Sequence, residues 1–225
     1  MNILLVSPEY PDTFWSFKHA LRFVSKKVGQ PPLGLLTVAS LLPAAWQKRL
    51  VDLNHQKLGS RDLQWADYVF IGGMAVQAES ARAVIAQCNE TGKPVVAGGP
   101  LFTARHAEFD GVAHFVLNEA EITLPLFLDD LRAGHAKPLY TTTEWADVRT
   151  TPLPMWNLID QRHYATMNMQ YSRGCPYDCE FCDITVLYGR LPRTKSGVQV
   201  VAEMDALYRS GWRGHVFFVD DNFIG

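Results

Sequence analysis

Pro94-Val95-Val96-Ala97-Gly98-Gly99-Pro100 joins a short apolar run to a glycine pair, and the same phrase occurs upstream as Tyr68-Val69-Phe70-Ile71-Gly72-Gly73. An unbroken run of branched apolar residues reads as a strand buried on both faces, and the glycines read as the turn that ends it. Working outward, Ile3 to Val6, Arg49 to Leu53 and His114 to Leu117 repeat the strand signal, giving five strands in all. Between them lie helical patterns: Leu35, Leu36, Val38, Ala39, Leu41 and Leu42 first, Glu79 to Cys88 next, and Ala120 to Arg132 last, before Gly134. Strands alternating with helices predict an α/β domain, a doubly wound, Rossmann-like parallel sheet over residues 1–138.

In such open sheets a ligand lies outside the carboxyl ends of the strands. The candidate contact residues are therefore Ser7-Pro8, Asp52 to Asn54, Gly72-Gly73-Met74, Gly98-Gly99-Pro100 and Asn118-Glu119-Ala120-Glu121. The glycine pairs suit close approach of backbone to a bulky ligand, or else serve only tight strand-to-helix turns. A dinucleotide fingerprint would place G-x-G-x-x-G after the first strand, and Ser-Pro-Glu-Tyr-Pro stands there instead, which disfavours NAD.

From Leu139 the periodicity gives way to Thr141-Thr142-Thr143, Thr150-Thr151 and Pro152-Leu153-Pro154, an extended linker over 139–163. A second unit, 164–225, restarts the order: Met167 to Tyr171 as a strand, Val198 to Arg209 as a helix, His215 to Val219 as a strand. A full eight-unit barrel uses about 250 residues, whereas about 60 follow the linker. The expectation is the first part of a partial (β/α) barrel, with an unpaired edge at Phe217-Phe218-Val219 and a longer natural protein.

The chain of 225 residues is 48% hydrophobic and 20% charged, a globular composition. Its 21 basic and 23 acidic residues leave a net charge of −2, which offers no field for a polyanion, so nucleic acid is not expected as a partner. Met1-Asn2 followed by Ile3 to Val6 lacks a signal peptide's basic region, and Leu33 to Trp46 is too short and too interrupted to cross a bilayer. No transmembrane segment is expected, and the cysteine usage points to the cytoplasm.

Three of the four cysteines fall in Cys175-Pro176-Tyr177-Asp178-Cys179-Glu180-Phe181-Cys182, directly after a predicted strand. Three thiolates in one short loop suit three irons of a 4Fe-4S cluster, leaving the fourth iron open. Two other readings stand beside this one. A zinc site would need a fourth ligand such as His163 or an aspartate, since Cys88 lies far off on a predicted helix. Positions 175, 179 and 182 would also share one helix face, although Gly174 and Pro176 oppose a helix there.

The C-x-x-x-C-x-aromatic-C pattern after a barrel strand, with Phe181 before the third cysteine, resembles the radical S-adenosylmethionine enzymes. The α/β domain with its glycine pairs and Pro31-Pro32-Leu33-Gly34 is similar to the cobalamin-binding domain of the cobalamin-dependent subgroup. The run Pro8 to Lys18, rich in aromatics at Tyr10, Phe14, Trp15 and Phe17, with Asn118-Glu119-Ala120-Glu121 and Val219-Asp220-Asp221-Asn222-Phe223, looks most like hopanoid 2-methylases and their relatives. Those aromatics equally suit packing of a long loop.

The resemblance implies that Cys175, Cys179 and Cys182 hold a 4Fe-4S cluster, that Phe181, Asp220 and Asp221 lie at S-adenosylmethionine, and that the strand-end residues above hold cobalamin. Asp220-Asp221 would alternatively cap the next helix. It implies methylation of an unactivated carbon in a small-molecule or lipid substrate, with flavodoxin or ferredoxin as electron donor and a peripheral membrane location if the substrate is a lipid. A rearrangement enzyme that binds cobalamin without giving up methyl, or a zinc-stabilised redox module, remains open. Asp52-Leu53-Asn54 departs from D-x-H-x-x-G: Asn54 stands at the histidine position and Lys57 at the glycine, so no protein ligand to cobalt is expected. His55 reads as a solvated loop histidine, and Arg190, Arg193 and Lys195 read as a solvated charged loop.

Overall fold

Ile3, Leu4, Leu5 and Val6 are fully buried, as a strand covered on both faces must be. They belong to β1 (Asn2–Ser7) in a computed structural model that describes residues 1–13, 16 and 18–223. β1 is flanked by β2 (Gln47–Asp52) and β3 (Tyr68–Gly72), followed outward by β4 (Val95–Gly98), β5 (His114–Val116) and β6 (Leu139–Tyr140). The six-stranded sheet has the order β2-β1-β3-β4-β5-β6 and is parallel throughout.

A short α1 (Lys18–Leu21) precedes the larger helices. α2 (Leu33–Leu41) and α6 (Ala120–Arg132) cover one face with Leu35, Leu36, Ala39, Leu124, Phe127 and Leu128. α3 (Ser60–Trp65), α4 (Ala78–Glu90) and α5 (Pro100–Arg105) cover the other with Leu63, Ala81, Val84, Ile85, Leu101 and Phe102. The sheet is doubly wound, as expected. Strand order reverses between β1 and β3, which makes the gap after Ser7 and Gly72 the switch point of the fold.

Several short elements of the first unit depart from the sequence reading. Leu139 and Tyr140, expected as the start of the extended linker, pair with Phe115 and Val116 and add a sixth strand. α3 and α5 have no counterpart in the reading, because a six-residue helix is too short for a 3.6-residue period to register.

The second unit opens with β7 (Met167–Met169), which pairs in parallel with β10 (Val216–Phe218) through the crossover helix α8 (Gly197–Arg209). Ser196 and Gln199 form the capping box that starts α8, with Gln199 N–H donating to Ser196 Oγ at 3.3 Å. The strand expected over Met167 to Tyr171 ends early. Asp220 collects the Tyr171 and Ser172 amides, turning the chain out of the ladder. Ser172 and Arg173 then form β8 (Ser172–Arg173), antiparallel to β9 (Arg193–Thr194), with α7 (Ile184–Tyr188) between them.

Candidate functional site

β8 and β9 pinch shut the base of the loop that carries the three cysteines. Gly174 enters it at φ +93°, and a Cβ there would lie 2.7 Å from the Leu191 carbonyl oxygen and 3.1 Å from that of Tyr188, so only glycine fits. The Cys175 amide donates to Gly189 O at 3.2 Å, and the Cys182 amide closes a turn onto Cys179 O at 3.0 Å. Residues 175–182 form no helix, which removes the helix-face alternative. All three thiols are free; Cys179 is exposed and the other two are half-buried.

The donor set suits a cubane, which takes one thiolate on each of three irons. A closed zinc site asks instead for four donors around one point. Among the described residues no three of His, Cys, Asp and Glu, the three cysteines included, are gathered closely enough to hold a metal ion. Cys88 faces the core from α4, where burial pushes its thiol up to about 11. Phe181 is 93% exposed at the tip of the loop.

Asp220 and Asp221 meet this loop from the end of β10. Asp220 accepts from the Tyr171 amide at 3.1 Å and from the Ser172 hydroxyl at 2.6 Å, while Asp221 accepts from the Gly174 amide at 3.4 Å. Burial, reinforced by Asp220, holds the Asp221 carboxyl above the usual carboxylate range. Both aspartates therefore brace the turn into the cysteine loop. Among the described residues no helix follows them.

The strand-end residues line up along the carboxyl edge of the sheet. Asp52 is fully buried and shared: one oxygen accepts the Asn54 amide at 3.1 Å and its side chain at 2.6 Å, the other accepts the Tyr164 hydroxyl at 3.0 Å. Asn54 in turn accepts the Tyr10 amide at 2.9 Å, tying down the loop after β1. Ser7 O accepts the Leu53 amide at 3.0 Å. His55 corrects the sequence reading: it is half-buried, with Nε2 3.2 Å from the Tyr164 hydroxyl, its ring 4.7 Å from that of His163 and Nδ1 buried without a partner.

The glycine pairs are taken up largely by the chain itself. A Cβ at Gly98 would lie 2.5 Å from Val116 O, one at Gly72 would lie 3.1 Å from Leu35, and Gly99 sits at φ +84° against Gly73. Tight approach between strands and turns accounts for them. Pro100 starts α5, and Met74, half exposed, donates its amide to Gln77 at 2.8 Å. Beside the switch point, Tyr10, Val76, Ser80 and Arg105 line a cleft of about 630 Å³. Tyr10 is the one aromatic of its run that is described; Phe14, Trp15 and Phe17 lie outside the described residues.

No family model matches the chain. Over its whole length it is 46% identical to an uncharacterised methyltransferase of Synechocystis and 37% identical to the hopanoid C-2 methylase of Rhodopseudomonas palustris. Along that length the chain is similar to methyltransferases. It spans 42% and 44% of the length of those two relatives. Its fold matches the radical S-adenosylmethionine methyltransferase TsrM of Kitasatospora setae, solved with tryptophan substrate and a S-adenosylmethionine analogue, with a TM-score of 0.69 over 98% of this chain and 47% of that one at 16% identity. A second TsrM structure, with cobalamin and a [4Fe-4S] cluster bound, gives a TM-score of 0.67.

Glu119 and Glu121 do not line an open strand end. They are buried against the second unit, Glu119 2.8 Å from Arg193 and 2.9 Å from Arg173, Glu121 2.8 Å from Arg173. Burial opposes ionisation of Glu121, but the Arg173 guanidinium prevails and holds its carboxyl below the usual range. Arg193 and Lys195, read as solvated, are both largely buried, Lys195 on Glu203. Arg190 stays at the surface, paired with Asp178 at 2.6 Å. Spacing carried no signal for these pairs. Among the described residues, no helix is long and apolar enough to cross a membrane.

Proposed function

We propose that the whole protein is a cobalamin-dependent radical S-adenosylmethionine methyltransferase acting on an unactivated carbon of a small-molecule or lipid substrate, a hopanoid in the first instance. The observation that carries this reading is a free three-cysteine loop beside the carboxyl end of β7, in a chain matched along its whole length by a hopanoid C-2 methylase. Cys175, Cys179 and Cys182 would hold the cluster, Phe181, Asp220 and Asp221 would lie at S-adenosylmethionine, and the carboxyl edge from Asp52 to Asn118 would face cobalamin. When bound, these groups supply one-electron cleavage of S-adenosylmethionine to a hydrogen-abstracting 5′-deoxyadenosyl radical and a methyl group for the substrate carbon, with electrons from a flavodoxin or ferredoxin.

The chain's own part is placement. The left-handed Gly174 and the β8/β9 pinch fix the base of the cysteine loop, while Asp220 locks the turn that leads to it. The reading extends to a cytoplasmic enzyme that works at the membrane surface when its substrate is a lipid.

Iron, cobalt and zinc counted in the anaerobically purified full-length protein test this reading. Iron and corrinoid together are expected, with iron and 5′-deoxyadenosine formation lost on Cys175→Ala, Cys179→Ala or Cys182→Ala. Zinc without corrinoid would overturn it. Labelled methyl appearing in the product separates methyl transfer from rearrangement.

A further inference from the structure

The ribbon that closes the cysteine loop does not hold itself together. β8 and β9 have two residues each, and Arg173 and Arg193 stand directly opposite one another across them. A pair of such short strands is unstable alone, and like charges on facing positions push them apart. The opposing charge comes from the first unit. Glu119, at the start of α6 and preceded by Asn118 at φ +61°, reaches between the two guanidiniums. Its Oε1 accepts from Arg173 Nη1 at 2.9 Å and from Arg193 Nη1 at 3.0 Å, and its Oε2 accepts from Arg193 Nη1 at 2.8 Å.

The chain of contacts continues to the cysteines. Arg193 Nη2 donates to the Tyr188 carbonyl at 2.8 Å, and that same oxygen lies 3.1 Å from where a Gly174 Cβ would be, one residue before Cys175. Glu119 also accepts the Ala146 amide at 2.8 Å, so it cannot swing away from the arginines without leaving another group unpaired. Its side chain is 1% exposed, where charge pairs are strongly coupled and an unpaired charge is costly.

We infer that Glu119 is a positioning residue for the cysteine loop, acting through Arg193 and Arg173, so that the α/β domain sets the geometry in which the three thiolates are offered. The inference deepens the proposed function, on which its cluster part rests; the ordering of the loop does not depend on it.

The test uses the full-length protein with Glu119→Gln, which keeps shape and removes charge, and separately Arg193→Lys, which keeps charge and removes the fork. In protein freed of iron by anaerobic chelation, hydrogen exchange of amides 172–175 and 188–194 is expected to quicken at least roughly tenfold in both variants while β1, β3 and β4 stay protected. On reconstitution, both variants are expected to take up less than about half the iron and to show an altered electron paramagnetic resonance signal of the reduced cluster. Unchanged exchange in both variants would overturn the inference. If Glu119→Gln opens the whole sheet, Arg193→Lys, which changes no residue of that sheet, decides the matter. Wild-type protein without iron or corrinoid would sink the proposed function while leaving the exchange result to stand.

Discussion

Tyr164 donates its hydroxyl to Asp52 at 3.0 Å with both side chains fully buried, joining the end of β2 to the start of the second unit. Burial first, and then the Asp52 charge, push the Tyr164 hydroxyl above its ordinary range, so it remains a donor. Removing that hydroxyl by Tyr164→Phe leaves a buried carboxylate oxygen short of its partner. The expected loss is about 1–3 kcal/mol of unfolding free energy, read from urea titration. A loss under about 0.5 kcal/mol would mean that water replaces the hydroxyl.

His55 gives the same junction a pH dependence. Burial lowers its pKa, outweighing the pull of Asp52, and His163 and Lys27 lower it further. Below about pH 6.5 the unfolded chain takes up a proton that the folded ring resists, so stability present above that pH is lost as the pH falls. Unfolding free energies at pH 7.5 and 5.5 should differ more in the wild type than in His55→Gln. Equal slopes would exclude His55 as the source.

Glycine substitutions should have opposite signs at two positions. Gly98→Ala forces a Cβ to 2.5 Å from Val116 O in a paired strand, and is expected to cost on the order of 1–3 kcal/mol. Gly197→Ala meets nothing within 4 Å at the first turn of α8 and is expected to stabilise by about 0.4–1 kcal/mol. Thermal unfolding midpoints that move in the same direction would contradict the strand contact.

Lys195 and Glu203 form an ion pair whose side chains are 5% and 3% exposed. Lys195→Met or Glu203→Leu alone strands a buried charge and should cost about 3–5 kcal/mol, whereas the double variant should recover most of it. Additive losses in a double-mutant cycle would show that the two side chains act independently.

The strands, the larger helices and the cysteine loop were legible because their signals are local. Val95 to Gly99 reads as strand and turn from adjacent residues, and Cys175, Cys179 and Cys182 declare themselves by spacing. β6 was missed because Leu139 and Tyr140 are a strand only by pairing with β5, with too few residues to show a period. His55 looked solvated because nothing in its neighbourhood along the chain reveals Tyr164 above it, 109 positions away.

From the sequence alone followed the doubly wound sheet and the gathering of three cysteines in one short loop. Burial and spacing periods are properties of neighbours, and neighbours are what a sequence displays. The partners of Glu119, Arg173, Arg193 and Asp52 emerged only in three dimensions. Glu119 lies 54 positions from Arg173 and 74 from Arg193, and a buried charge acquires its meaning from whichever opposite charge the fold brings to it.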